Sequence, residues 1–169
     1  MNLILPPTYL ERIDAPLIFL AGPIQGAYDW QSNAIKIIQS IDSELYVASP
    51  RRQIKPVGEF TEEMYNEQVD WETYHLKKAG ENGVVLFWLA KEFEHRCDRP
   101  YAHTTGKELF EWKVLHEVYG YKIALGMEEG FVGNRYINRR FSQDCPEIPI
   151  LHSLEDTCKE AIRLLNYKK

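Results

Sequence analysis

Two glutamates stand where a helix should be apolar. In "TTGKELFEWKVLHEVYG", Thr104 to Gly120, Glu108 shares a face with Trp112, Leu115 and Tyr119 when the chain is wound at about 100° per residue. In the helical pattern from Thr61 to Ala79, Glu72 interrupts a face made of Tyr65, Val69, Leu76 and Ala79. Asp70 points away from that face on an ideal wheel and reaches it only if the helix is not straight. A carboxylate is rarely buried unless something pairs with it or uses it.

The chemistry open to such a pair depends on unlike surroundings. Glu108 is expected in a first helical turn after Gly106, where backbone N–H groups and the helix dipole keep an acid ionised. An ionised carboxylate can act as a nucleophile. Glu72 is expected mid-helix among apolar neighbours, where desolvation raises a carboxyl pKa and suits it to donate a proton. One nucleophilic and one protonated carboxyl is the pairing of retaining glycoside chemistry. Structural roles stay open beside it, because first-turn acids favour the dipole and stripe-edge glutamates reach water.

The elements that would position these acids alternate along the chain. "PLIFLAG" (Pro16 to Gly22), "LYVASP", "GVVLFWLA" (Gly83 to Ala90), "YKIALGM" and the short "IPILH" read as buried strands. Between them lie a helix capped by Asp29, the helix from Thr61, and the helix carrying Glu108, closed by Gly120. A last helix starts at Ser153, whose "SLED" resembles a capping box. The alternation predicts one α/β domain over 1–169, an open, mostly parallel five-stranded sheet with helices on both faces, flavodoxin- or Rossmann-like. Ligands in such sheets bind outside the strands' carboxyl ends, which gathers "AGPIQG", "SPRRQ" and the loop before Glu108 around one cleft.

Composition narrows the classes. At 169 residues, 44% hydrophobic and 27% charged, the chain has the make-up of a folded globular domain. A net charge of −5 argues against a nucleic-acid partner, and the single basic cluster "PRRQIK" is too short to reverse that. No apolar run is long enough for a membrane span, and "MNLILPPTYLER" does not read as a secretory signal. Three widely spaced cysteines suit reduced thiols and a cytoplasmic location. There is no GxGxxG after the first strand, no P-loop, no GxSxG and no metal-ligand spacing, so neither a cofactor nor a metal is expected.

"IFLAGPIQG", "QVDWETYHLKKA…VVLFWL" and "TTGKELFEWK", in that order over roughly Ile18 to Leu125, resemble the nucleoside 2-deoxyribosyltransferase-like family. The resemblance implies cleavage of the N-glycosidic bond of a deoxynucleoside, with transfer of the 2-deoxyribosyl group to a free nucleobase through a covalent glutamyl intermediate. It places the nucleophile on Glu108 and the second acid on Glu72 or, with a small shift, Asp70. It assigns substrate contacts to Gly22, Pro23 and Gln25 after the first strand, and to Arg51 and Gln53 after the second. Phe19 stands where relatives carry a tyrosine that orients the nucleophile. Ala102 stands where they carry a polar residue, which leaves the sugar hydroxyls to His103, Thr104, Thr105 and the backbone around Gly106. A homo-oligomer is implied, with Asn134 or Asn138 reaching a neighbouring site. No basic residue lies in "GPIQGAYDW", which favours a nucleoside over its monophosphate. Two other readings stay open: an N-glycoside hydrolase of a deoxynucleoside or its monophosphate, and a non-catalytic nucleotide-sensing module.

Overall fold

The computed structural model describes residues 2–10, 15–52 and 61–166. Six strands form one all-parallel sheet: β1 (Asn2–Ile4), β2 (Leu17–Ala21), β3 (Tyr46–Ala48), β4 (Gly83–Leu89), β5 (Ile123–Met127) and β6 (Ile150–Leu151). Their order is β1-β3-β2-β4-β5-β6. The fold is thus the expected open α/β sheet, with six strands rather than five. The additional strand is β1, whose three residues pair with Tyr46 to Ala48. So short a run, cut off by two prolines, carries no periodicity from which a strand could be read.

Helices cover both faces. α1 (Trp30–Ile41) and α5 (Leu154–Asn166) pack on one; α2 (Glu62–Glu81), α3 (His103–Tyr119) and α4 (Asn134–Asp144) pack on the other. The strands feed both cores by alternation. Ile18, Leu20, Leu86 and Trp88 face α1 and α5, whereas Phe19, Ala21, Phe87 and Leu89 face α2 and α3. α4 is an element the sequence reading missed. Its segment "NRYINRRFSQD" is polar almost throughout, and two side chains, Ile137 and Phe141, anchor it to the core.

Local signals account for four of the helix ends. Asp29 caps α1, accepting from the Ser32 N–H at 3.1 Å, and Thr61 caps α2 through the Met64 N–H at 3.2 Å. At α5 the Ser153 hydroxyl accepts from the Asp156 N–H, which is one half of the expected capping box, and donates to the Asp156 carboxylate, which is a side-chain bond in place of the other half. α3 ends on Gly120 in the left-handed region.

The chain leaves β2 toward β3 over the α1 face and leaves β4 toward β5 over the α3 face. The sheet therefore reverses its winding between β2 and β4, and a crevice opens outside their carboxyl ends. Crossover helices run back against the strands, so the first turns of α2 and α3 stand at that same edge.

Candidate active site

A cleft of about 560 Å³ lies at this edge, on the α2 and α3 side. Its floor includes Phe19 and Ala21 from β2, its near wall Tyr65, Gln68, Val69 and Glu72 from α2, and its far wall Thr104, Thr105 and Glu108 from α3. Glu72 and Glu108 thus face one cavity. The face of α2 read as a core stripe proves to be two surfaces. Leu76 and Ala79 are buried against the sheet, while Tyr65 and Val69 are exposed and wall the cleft. The core anchor of α2 is instead Trp71, fully buried, with His75 one turn on.

The acids do not have the environments expected of them. α3 begins at His103, so Glu108 falls in its second turn, beyond the free N–H groups of the helix end. Burial pushes its carboxyl up to about 7, and the negative charge of Glu72 adds to the rise. The expectation of an acid held ionised by the dipole is therefore corrected: Glu108 is partly protonated near neutrality. Burial also raises Glu72, against an opposing hydrogen bond from Gln68. Among the described residues, no cation is paired with either carboxyl. Like charges in a shared, poorly solvated space titrate as a pair, so the charge on one carboxyl opposes ionisation of the other.

The Glu72 side of the cleft is held by a short relay. The Gln68 side-chain N–H groups donate to Glu72 Oε1 at 2.8 Å and to the Pro50 carbonyl at 2.9 Å, while its Oε1 accepts from Arg52 Nε at 2.9 Å. Arg52 also pairs with Glu67 at 2.6 Å. Sequence reasoning singled out neither Gln68 nor a role for Arg52. The available signal was the spacing, since Gln68 precedes Glu72 by four residues on one helix face.

Arg51 lines the cleft but is engaged with α1. Its Nε lies 2.8 Å from Gln31 Oε1 and 3.2 Å from Asp29, and its terminal nitrogen donates to the Ile24 and Tyr28 carbonyls at 3.2 and 3.3 Å. It ties down the loop after β2. Within that loop Gly22, Pro23 and Gln25 reach the cleft wall. Gly22 has φ +154°, and a Cβ there would collide with the Trp88 carbonyl and the Trp30 ring. The Pro23 carbonyl accepts from Trp30 Nε1 at 2.8 Å.

Thr104 and Thr105 both reach the cleft, the first exposed and the second buried. Gly106, Asp70 and Asn134 are not among its lining residues. Asp70 is exposed on the outer side of α2, and Asn134 opens α4. Gln53 lies outside the described residues. Ala102, in the position expected to be polar, adopts φ 53° at the start of α3 and brings no side-chain cap. Arg96 and Arg99 stand at the mouth. Among the described residues, no group of three His, Cys, Asp or Glu side chains is arranged to hold a metal.

No family model matches the chain, and no curated protein does. Among solved structures, the crystal structure of a conserved protein from Enterococcus faecalis V583 is similar, with a TM-score of 0.48 and 10% identity over 89% of this chain and 99% of that one. The functional reading rests on the cleft itself. Its chemistry is that of two carboxyls held above their ordinary range, an apolar floor and a wall of hydroxyl and amide groups. No helix among the described residues is long and apolar enough to cross a membrane.

Proposed function

We propose that the protein transfers a 2-deoxyribosyl group between nucleobases, with Glu108 as nucleophile and Glu72 as proton carrier. The observation that carries this reading is the pair of raised carboxyls, brought from two helices to one cleft with no cation among the described residues paired to either. A purely structural acid gains nothing from such a position. The cleft volume also falls within the range of about 300–1,000 Å³ usual for small-molecule sites.

In the reaction, the Glu108 carboxylate attacks C1′ and an ester C–O bond forms as the C1′–N bond breaks. The departing base takes the proton from Glu72. A second base then attacks C1′, the ester breaks, Glu108 is released as carboxylate, and the incoming base returns a proton to Glu72. Thr104 and Thr105 lie where hydroxyls can hold the sugar. Phe19 provides an apolar floor and, lacking a hydroxyl, leaves Glu108 unoriented from below.

Chromatography of the protein with deoxyinosine, with and without adenine, tests the proposal. Deoxyadenosine formed only when adenine is supplied is the expected result. Free hypoxanthine without exchange would mean that water intercepts the intermediate, which makes the protein a hydrolase. No change with any deoxynucleoside or its monophosphate overturns the enzymatic reading in favour of a binding module.

A further inference from the structure

We propose that Gln68, locked in one orientation by Arg52 and Pro50, is a positioning residue that makes Glu72 the more readily ionised carboxyl of the Glu72–Glu108 pair. The inference deepens the reading above, although its test does not depend on turnover. The orientation of the amide follows from its neighbours. Arg52 Nε can only donate and the Pro50 carbonyl can only accept, so the Gln68 oxygen must face Arg52 and its nitrogen must face Pro50. The second N–H is then directed at Glu72 Oε1. Turning the amide over would set an oxygen against two acceptors and an NH₂ against a donor.

The consequence is electrostatic. A hydrogen bond donated to a carboxylate favours the charged form. Glu72 has such a donor, and among the described residues Glu108 has none. The donor therefore favours the negative charge on Glu72 over Glu108. When Glu72 does take the proton, Oε1 is occupied as an acceptor, so the hydroxyl forms on Oε2. For Glu108 to attack a sugar it must be the carboxylate, and Glu72 must carry the proton that the departing base takes.

Apart from Glu111, the other charged groups around the cleft are engaged elsewhere or lie at its exposed mouth. Arg51 is engaged with Gln31 and Asp29, Arg52 with Gln68 and Glu67, and Glu92 with His95 at 2.9 Å. The Tyr101 hydroxyl donates to the Ala90 carbonyl at 2.7 Å. Glu94, Arg96, Arg99 and His103 sit at the exposed mouth, where solvent screens them, and Arg96 is 3.8 Å from Asp98. Glu111, on the exposed side of α3, adds to the rise of Glu108.

The test is a carbon NMR titration of protein labelled at glutamate carboxyls, with Glu72 and Glu108 assigned through Glu72→Gln and Glu108→Gln. In the unmutated protein Glu72 should ionise at lower pH than Glu108. Gln68→Met keeps the shape and removes the donor, and should weaken Glu72 as an acid roughly tenfold or more. Arg52→Met, which frees the amide to turn, should shift Glu72 in the same direction by less. Unchanged midpoints in a folded Gln68→Met, or Glu108 ionising first in the unmutated protein, would overturn the proposal whatever the exchange assay shows.

Discussion

The two sides of the sheet's carboxyl edge use similar polar residues to opposite ends. On the α1 side, Gln31 is fully buried, yet its oxygen meets Arg51, its amide reaches the Pro23 carbonyl at 3.5 Å, and Arg51 is further bonded to Asp29 and two carbonyls. On the α2 and α3 side, two carboxyls share a cleft with a single amide donor between them. The first arrangement is satisfied and holds a loop in place. The second has no cation paired to either carboxyl among the described residues, and both are held above their ordinary range. Polar groups that a fold needs are paired, and those left short of partners mark the place where a ligand would supply them.

Substitutions on the two sides should therefore act in opposite ways. The largest effect expected is on chemistry: Glu108→Gln should lower base exchange at least about 1000-fold, read by chromatography, with the fold intact by circular dichroism. The same variant should be more stable than the parent at alkaline pH. Glu108 is raised in the folded state from 4.5 to about 7, so its contribution to stability is full below about pH 4.5 and is lost as pH rises through 7. Urea unfolding at pH 8 should show a gain in Glu108→Gln of up to about 3 kcal/mol, vanishing near pH 4. A parent protein equally stable across that window would break the claim that Glu108 is held protonated.

Gln31→Leu should do the reverse. It strips the buried Arg51 cluster of one acceptor, and should cost about 1–3 kcal/mol at every pH by the same urea measurement. If it proved neutral, the contrast between the two sides would fail. Asp70→Asn is the smallest: exposed and off the cleft, it should stay within about 0.5 kcal/mol and leave exchange unaltered. Loss of activity there would return Asp70 to the site in place of Glu72.

Periodicity exposed Glu72 and Glu108 because an acid in an apolar face is a visible contradiction. The same periodicity misjudged what the face meets. Tyr65 and Val69 are apolar because they wall a cleft, and a wheel cannot tell a cleft from a core. The state of Glu108 was misread because three residues decide it: α3 starts at His103 rather than beside Gly106, which moves the acid away from the helix end. Strand β4, with seven nearly continuous buried residues, was plain to read; β1 and α4, with few apolar side chains of their own, draw their order from partners far along the chain. The role of Gln68 needed tertiary geometry, since its orientation is set by Pro50 and Arg52 from another segment.

The most direct test of the account is intact-mass spectrometry of protein mixed with a deoxynucleoside and quenched in acid. The account predicts a fraction of the chain heavier by one esterified deoxyribosyl group, mapped by peptide digestion to Glu108 and absent from Glu108→Gln. Turnover with no such adduct, or an adduct on another residue, would contradict it.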